Sequence, residues 1–351
     1  MPCIWKHLNN NIGIYVDSFL NQVNLPMAQS SPKNLFFSII TLCLSLALTF
    51  GAIEVVLRIK NSTQDVYDIE MWRYSKDLKR ASLNPVLGHE HIPSSQAILQ
   101  KTSIRINELG LRGGPVAPLL PGGRRILFLG SSITLGWGVE EKNIMTTLLE
   151  QRFYQSGEKV QVLNAGIGNY NTVRYVERFF ANLKELKPTD IVVHYFINDA
   201  EKLQAGGGNF LLRNSQLAVT LWTVANRVIG LNGEGTLVDH YRRVYEEGAT
   251  GYLEMKSALS RLSAYAKEKG IRVIFAMTPD IHNLDDYKLS FIHERMKNIA
   301  SELGYSYVDF LPTMKGIDSK SIWAMPGDPH PNALGHKIMA EALYRTLSNG
   351  N

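Results

Sequence analysis

The stretch RRILFLGSSITLGWG, residues 124–138, decides the fold class of this chain. Ile126–Leu129 is a short apolar run, typical of a buried strand, and the turn-forming residue Gly130 follows it directly. A turn rich in glycine and serine after such a strand has three interpretations: a phosphate cradle, an exposed nucleophile, or a plain strand-to-helix corner. The stretch alone does not choose among them.

Short apolar runs and helical patterns alternate from residue 124 to the C-terminus. The predicted strands cover 125–129, 160–164, 191–196, 272–277 and 306–310. The predicted helices cover 141–155, 172–186, 251–269, 284–303 and 332–348. This alternation is typical of βαβ units, so we expect an α/β fold with a parallel sheet of about five strands and helices on both faces. Ligand sites in such sheets lie beyond the carboxyl ends of the strands.

The composition indicates a globular chain with room for one substantial domain. Of its 351 residues 45% are hydrophobic and 20% are charged. The 37 basic and 32 acidic residues give a net charge of +5, and the two signs are interspersed, so the sequence does not favour a nucleic-acid partner. Cys3 and Cys43 both precede residue 124, which excludes a cysteine-based metal site or disulfide framework from the predicted domain.

One segment predicts a membrane anchor. LFFSIITLCLSLALTFGAI, residues 35–53, carries no charge, and a helix of that length spans about 29 Å, close to the thickness of the hydrocarbon core. Phe50 stands where a cleaved signal peptide needs a small residue, so we expect an uncleaved anchor over residues 35–57. Residues 1–34 form a polar N-terminal segment, and Met27, which opens the polar stretch MAQSSPKN, is an alternative start of the protein.

The charges flanking the anchor favour a cytoplasmic C-terminal region. Lys33 alone lies close before it, whereas Arg58, Lys60 and Arg73 follow it. Residues 58–123 are interpreted as a connector that ends in GGPVAPLLPGG, residues 113–123, and residues 124–351 as the functional domain.

An insertion, residues 201–250, interrupts the strand and helix alternation. It begins with AGGGN, residues 205–209, and continues with apolar residues at helical spacing, namely Leu217, Leu221, Val224 and Val228. Two interpretations remain open for this helix: it packs on the body of the domain, or it forms a lid or a membrane-surface helix.

Four polar clusters follow strands or precede the last helix. They are GSSIT at 130–134, NAGIGNYNT at 164–172, FIND at 196–199 and GDPHPN at 327–332. Each cluster alone has a structural explanation as a helix cap or a turn. Together they supply what acyl transfer requires: a nucleophile, a base, a group that orients the base, and donors for the oxyanion.

The four clusters resemble the sequence blocks of the SGNH/GDSL hydrolase superfamily over about residues 104–346. LNAGIGNYNT and INELGLRG are similar to its membrane-anchored bacterial branch. The resemblance implies a flavodoxin-like three-layer α/β/α sandwich and a serine esterase or an O-acyltransferase, with no metal or organic cofactor. It further implies an ester of cell-envelope carbohydrate as substrate and a single-pass protein with a periplasmic catalytic domain, against the charge pattern above.

The same resemblance assigns roles to residues. Ser132 is the nucleophile and His330 is the base. The oxyanion donors are the backbone N–H groups of Ser132 and Asn169 and the side-chain amide of Asn198. The family places an aspartate three residues before the histidine, where this chain has Gly327.

Asp328 is therefore the predicted orienting residue. In Asp328-Pro329-His330-Pro331 each residue before a proline favours β or polyproline II backbone. A β-like stretch places residues i and i+2 on one side, whereas polyproline II, with three residues per turn, does not. Three further departures from the family pattern are Ser131 in place of an aspartate, and Asn169 and Phe196 in place of glycines.

Competing interpretations come from other classes of protein. A flavodoxin-like protein could hold a phosphate group on GSSITLGWG, and a non-catalytic envelope scaffold needs no chemistry at all. A metal site formed by Asp328, His330 and His336 lacks a ligand spacing that supports it. We interpret His194, which lies within a predicted strand, as a hydrogen-bonded structural residue.

Overall fold

A computed structural model describes residues 32–63, 66–203, 210–231, 236–326 and 330–348 of the chain. Its contacts divide the chain into two compact units, Met1–Val56 and Leu57–Asn351. Helix α1, Pro32–Thr63, contains the whole predicted anchor, and its apolar side chains are exposed. Its length and its mean hydropathy of 2.2 over the most apolar window make it a candidate membrane span.

The second unit is built around a parallel sheet of five strands, as predicted. The strands are β5 (Arg124–Gly130), β6 (Val160–Asn164), β7 (Asp190–Phe196), β8 (Arg272–Thr278) and β9 (Ser306–Asp309), after four short strands that are described below. Their order in the sheet is β6-β5-β7-β8-β9, with every pairing parallel. This is the flavodoxin-like order: the second strand of the sheet lies on one side of the first, and the third, fourth and fifth strands lie on its other side. Both β6 and β7 therefore flank β5.

Helices cover both faces of this sheet. The helices of the unit after β5 are α3 (Ser132–Leu135), α4 (Met145–Gln155), α5 (Thr172–Arg178), α6 (Phe210–Asn214), α7 (Gln216–Leu231), α8 (Leu237–Val244), α9 (Thr250–Lys269), α10 (Ser290–Leu303), α11 (Leu311–Met314) and α12 (Ala333–Ser348). Within β5, Leu127 and Leu129 pack with α5, α9 and α10, while Ile126 and Phe128 pack with α4 and α12. Alternate residues of a strand point to opposite faces, so one strand feeds both cores. The three-layer fold class is confirmed.

Three predicted helices differ from their observed form. The pattern over 141–155 begins with a 3-10 turn, Glu141–Asn143, and forms α4 only from Met145. The pattern over 172–186 forms α5 only to Arg178, followed by a π-helical turn, Phe179–Leu183, and a 3-10 turn, Lys184–Leu186. The pattern over 284–303 is helical only from Ser290, because the residues before it form turns in which Asn283 Oδ1 accepts a hydrogen bond from Asp286 N. A side-chain oxygen that bonds a nearby backbone N–H in this way offers the backbone an alternative to a continuous helix.

The connector packs into the same unit as the sheet. It contains α2 (Tyr67–Asp77), the hairpin of β1 (Lys79–Ala81) and β2 (His89–His91), and the hairpin of β3 (Gln96–Leu99) and β4 (Thr102–Arg105). Its buried residues form a third core with two residues that follow the nucleophile position: Tyr74, Leu78, Leu99, Ile104 and Ile106 pack with Leu135 and Trp137. The connector is thus part of the support of the site.

The insertion contributes α6, α7 and α8. Residues 204–209, which include the glycine-rich start of the insertion, lie outside the described residues. In α7, Val219 and Gln216 are buried, and the Asn61 side chain donates a hydrogen bond to Gln216 Oε1 at 2.8 Å. Leu221, Trp222 and Val224 are exposed on the same helix. One face of the insertion helix therefore packs on the body of the unit while the other face is open.

Candidate active site

The nucleophile position lies on a tight turn at the carboxyl end of β5. Gly130 ends the strand and Ser132 begins the four-residue helix α3, which Gly136 ends with φ of 77°. A Cβ atom at Gly130 would lie 2.0 Å from Thr134 Oγ1 and 2.8 Å from the backbone oxygen of His194. Only glycine fits this close approach, so the turn requires the residue that the sequence supplies.

Ser132 and His330 are brought together by the fold. His330 Nε2 lies 2.7 Å from Ser132 Oγ, a hydrogen-bond distance that allows the imidazole to accept the hydroxyl proton. His330 is 6% exposed and Ser132 is partly buried, so the pair is shielded from bulk water but reachable. A hydroxyl bonded to a histidine nitrogen is the arrangement that activates a serine nucleophile.

Short backbone contacts hold His330 in place. Its carbonyl accepts a hydrogen bond from Ala324 N at 2.8 Å, and Trp323 pairs with Pro331 in an isolated antiparallel bridge. Asn332 then caps helix α12, because its Oδ1 accepts from Leu334 N at 2.9 Å. The histidine therefore sits between a bridge and a helix cap, which limits its movement.

The predicted orienting residue, Asp328, lies outside the described residues, as do Gly327 and Pro329. Its role stays a prediction. Among the described residues, the ring of Tyr67 lies 6.2 Å from the ring of His330, centroid to centroid.

The two predicted oxyanion asparagines follow the strands that flank β5. Asn169 lies in the loop after β6 and has φ of 64°, in the left-handed region that asparagine tolerates better than most residues. Its own N–H and the N–H of Ser132 make no hydrogen bond among the described residues, which leaves both donors open. Asn198 follows β7, and its side-chain amide is exposed and likewise unbonded within the described part of the chain.

Hydrogen bonds tie these loops to each other and to the nucleophile turn. Ile167 N donates to Gly130 O at 3.3 Å, and the Asn164 amide donates to Thr134 O at 2.7 Å. Thr172 N donates to Asp199 O at 3.2 Å, which connects the loop of Asn169 with the loop of Asn198. The three polar clusters that follow neighbouring strands thus share one edge of the sheet.

Asp199 fixes the turn that presents Asn198. Its Oδ2 accepts a hydrogen bond from Phe196 N at 3.2 Å, and burial raises the pKa of this carboxyl well above its usual range. The uncharged carboxyl is compatible with its complete burial.

Sequence reasoning missed the side chains that brace this edge. The buried Arg112 donates to Gly136 O and Val139 O, both at 2.6 Å, and so holds the chain after α3. The buried Tyr74 hydroxyl accepts from Gly168 N at 2.9 Å and lies 2.7 Å from His91 Nε2. Arg112 lies within the INELGLRG stretch, so the motif carried a signal for it, whereas no local pattern marks Tyr74.

Two further histidines are structural. His194 Nδ1 lies 2.9 Å from Thr134 Oγ1 and its Nε2 lies 2.7 Å from Thr278 Oγ1. His336 Nδ1 accepts a hydrogen bond from Met145 N at 3.1 Å. Burial lowers the pKa of both imidazoles to about 3, so both rings are neutral. The prediction for His194 is confirmed, and within the described ranges no three His, Cys, Asp or Glu side chains are grouped to hold a metal ion.

Comparison with family models identifies the family of the chain. The model of the GDSL-like lipase/acylhydrolase family matches residues 128–338, which is more than half of the chain. The chain therefore belongs to the GDSL-like lipase/acylhydrolase family and is a hydrolase that acts on ester bonds.

Solved structures give weaker likenesses. Esterase EstA from Pseudoalteromonas sp. is 16% identical, with 64% of this chain and 97% of that chain covered and a TM-score of 0.42. The acetylxylan esterase Axe2 from Geobacillus stearothermophilus is 19% identical, with 64% and 93% covered and a TM-score of 0.43. Comparison with curated proteins returns no match. The family assignment accordingly rests on the family model.

Proposed function

We propose that this chain cleaves ester-linked acyl groups with Ser132 as nucleophile and His330 as general base. The observation that carries this proposal is the distance of 2.7 Å between Ser132 Oγ and His330 Nε2. As Oγ attacks the ester carbonyl carbon, its proton passes to Nε2 and the carbonyl oxygen becomes an oxyanion.

The intermediate then collapses in a defined way. The backbone N–H groups of Ser132 and Asn169 and the amide of Asn198 donate to the oxyanion, which lowers the barrier. His330 returns its proton to the leaving alcohol, and the acyl group remains on Ser132 as an ester. Water, activated by the neutral His330, releases the acid and regenerates the hydroxyl. Asp328 would stabilise the imidazolium that forms in both halves of the reaction.

We further propose an acylated carbohydrate of the cell envelope as substrate. Support comes from the sequence resemblance to membrane-anchored relatives and from helix α1, whose length and apolarity suit a membrane span. On this account residues 35–57 cross the membrane once and the catalytic domain lies on the periplasmic side. A C-terminal reporter that is active only in the cytoplasm would refute that orientation.

An O-acyltransferase uses the same residues, with a sugar hydroxyl in place of water in the second half-reaction. Partitioning separates the two activities: p-nitrophenyl acetate is the donor, and acetate and acetyl-sugar are quantified with and without a soluble acceptor sugar. Acetate as the main product supports the hydrolase, and preferential acetyl-sugar formation supports the transferase.

The catalytic pair is tested by hydrolysis of p-nitrophenyl acetate. Ser132→Ala and His330→Ala should each lower kcat by at least about 10³-fold, and the double variant should lose little more, because the two residues act as a unit. Ser131→Ala is the matched control, because it removes the hydroxyl of the residue next to Ser132, and that hydroxyl makes no hydrogen bond as a helix cap. Additive losses, or full activity of Ser132→Ala, would contradict the proposal.

A further inference from the structure

Two side chains of the connector form hydrogen bonds to the carbonyl oxygen of the peptide that carries the Asn169 N–H. Lys79 Nζ donates a hydrogen bond to Gly168 O at 2.7 Å, and His89 Nε2 donates to the same oxygen at 3.0 Å. Because a carbonyl oxygen only accepts, the hydrogen of the neutral His89 ring must lie on Nε2. The two donors come from the paired strands β1 and β2, so one hairpin supplies both.

The neighbouring peptides are fixed as well. Gly168 N donates to the Tyr74 hydroxyl, and an Arg174 guanidinium nitrogen donates to Asn169 O at 3.2 Å. A peptide unit is planar and trans, so its C=O and N–H point in opposite directions. Two hydrogen bonds on Gly168 O therefore direct the Asn169 N–H away from Lys79 and His89.

We propose that Lys79 and His89 are positioning residues of the oxyanion hole, which aim the Asn169 N–H at the developing oxyanion and strengthen it as a donor. The inference rests on the proposed function. A charge-assisted bond to the carbonyl polarises the whole peptide unit, and hydrogen bonds in series strengthen one another by roughly 10–30% each. The connector thereby affects the chemistry of the site, although Lys79 and His89 contact only the peptide that would donate to the oxyanion and not the oxyanion itself.

The charge on Lys79 depends on pH. Burial, together with the charge of Arg174, lowers the pKa of Lys79 to about 7. The groups that face it are His89 on β2, the Tyr74 ring of α2 at 4.3 Å from Nζ, and Arg174 on α5. Burial also lowers the pKa of His89 to about 3, so His89 stays neutral while Lys79 titrates. Loss of this positive charge above neutral pH weakens the polarisation of the peptide.

The test compares an ester with its thiono analogue, because a developing charge on sulfur gains much less from oxyanion donors than one on oxygen. Lys79→Met should lower kcat for p-nitrophenyl acetate by roughly 10-fold to 100-fold, part of the 10²-fold to 10³-fold effect of a whole donor. KM should stay within about 2-fold, and O-p-nitrophenyl thionoacetate should show a much smaller loss. His89→Leu should behave similarly, and His89→Gln, which keeps a donor, should recover part of the rate.

Arg80→Met is the matched control, since it removes a cation from the next position of the same strand, where Arg80 pairs with Glu90 at the surface. Equal losses on the ester and the thionoester, or unchanged kcat in Lys79→Met, would overturn the inference. If both variants unfold, the pH profile of the unaltered protein decides: kcat should fall above about pH 7 for the ester only, and the same profile for both substrates would overturn it. If Ser132→Ala is inactive while Lys79→Met has normal activity, the inference about Lys79 fails but the proposed function stands.

A second surface carries an independent inference. Leu211 of α6 is 62% exposed, and Leu221, Trp222 and Val224 of α7 are 58%, 58% and 53% exposed. These four residues are called the insertion patch. The base of the same helical pair is tied to the chain that follows the anchor: Arg58 donates to Asn214 O at 2.9 Å, and Asn61 donates to Gln216 Oε1.

Chain length places this base close to the membrane. The predicted anchor ends at residue 57, and four residues span at most about 14 Å even when fully extended. The Cα atom of Asn61 therefore cannot lie farther than this from a membrane that residues 35–57 cross, and the Gln216 side chain is hydrogen-bonded to the Asn61 side chain. Tryptophan is enriched at the boundary between acyl chains and headgroups, and Trp222 is the largest side chain of the patch.

We infer that the insertion patch lies in the interface of the membrane that the anchor crosses, which rests on the proposed anchoring. The full chain is reconstituted into vesicles of phosphatidylcholine and phosphatidylglycerol with brominated acyl chains, and tryptophan fluorescence is compared with that in unbrominated vesicles. The difference in fluorescence between the unaltered protein and Trp222→Phe is the emission of Trp222. The brominated lipid should quench this emission by about half or more. Trp323→Phe is the control, because the Trp323 indole N–H is bonded to Ile281 O within the domain.

An unquenched Trp222 signal in vesicle-inserted protein would overturn this inference, as would burial of the patch against a second copy or over the active site. Chain that does not insert into the vesicles at all would refute the anchoring as well. The two failures are thus distinguishable.

Discussion

His330 Nε2 lies 2.7 Å from Ser132 Oγ although the two residues are 198 positions apart. The contact forms because Ser132 follows the strand next to the switch point of the sheet, while His330 precedes the helix that packs under the same strand. Strand β5 and helix α12 thus meet at one edge of the sheet, where the loops of Asn169 and Asn198 also lie.

Asn198→Ala tests the side-chain donor of the oxyanion hole. We expect kcat for p-nitrophenyl acetate to fall by about 10²-fold to 10³-fold with little change in KM, because the amide would bind the oxyanion rather than the ground-state ester. Asn298→Ala, an exposed asparagine on α10, should leave kcat unchanged. A loss confined to KM would assign Asn198 to substrate binding instead.

Asp328→Asn tests the predicted orienting residue. Removing the charge should lower kcat by up to about 10⁴-fold if this carboxylate stabilises the imidazolium of His330. The measurement is steady-state hydrolysis alongside His330→Ala. Unchanged activity in Asp328→Asn, with His330→Ala inactive, would show that Ser132 and His330 work as a dyad.

The sheet could be predicted from sequence because its central strands, β5, β7 and β8, are short, largely apolar runs that are buried along most of their length. The predicted strand 160–164 coincides with the observed one, and 191–196 differs by one residue from Asp190–Phe196. The extent of a helix is harder to predict, since the turn before Ser290 and the π-helical turn after Arg178 depend on local hydrogen bonds and packing.

The site was predictable where each residue carries its own motif, as Ser132 and His330 do. The support from the connector was not, because Lys79 and His89 meet Gly168 across 89 and 79 positions of sequence. No periodicity marks such a contact. It follows only from the packing of the β1-β2 hairpin against the loop after β6.

Gly130→Ala tests the tight turn beneath the nucleophile. The added Cβ would meet Thr134 Oγ1 at 2.0 Å, so we expect the free energy of unfolding to fall by about 1–3 kcal/mol, together with loss of activity. Gly248→Ala is the control, because no atom lies within 4 Å of its Cβ position. Urea unfolding checks both, and a fully stable and active Gly130→Ala would contradict this account of the turn.

Buried neutral histidines, among them His194 and His336, predict loss of stability in acid. The pKa of His194 and of His336 is lowered to about 3, against about 6.5 in an unfolded chain. Between these values the unfolded state binds more protons, so the free energy of unfolding rises with pH and decreases as the pH falls from about 6.5 towards 3. Each histidine contributes up to about 1.4 kcal/mol per pH unit within that window.

Urea unfolding at pH 7 and pH 5 measures this dependence. From pH 7 to pH 5 the free energy of unfolding should decrease less for His194→Gln than for the unaltered protein, whatever the stability of the variant at pH 7. His240→Gln, a substitution of an exposed histidine, should keep the original slope. Identical slopes in all three proteins would show that His194 is not the group responsible.

The most direct measurement is the site of covalent labelling by a fluorophosphonate, whose phosphorus is attacked only by an activated nucleophile. The intact protein is labelled and digested, and the adduct is located by mass spectrometry. We predict a single adduct on Ser132, none in Ser132→Ala, strongly slowed labelling in His330→Ala and unchanged labelling in Ser131→Ala. Folded protein that remains unlabelled, or that carries the adduct on another residue, would contradict the assignment of Ser132 and His330 as the catalytic pair.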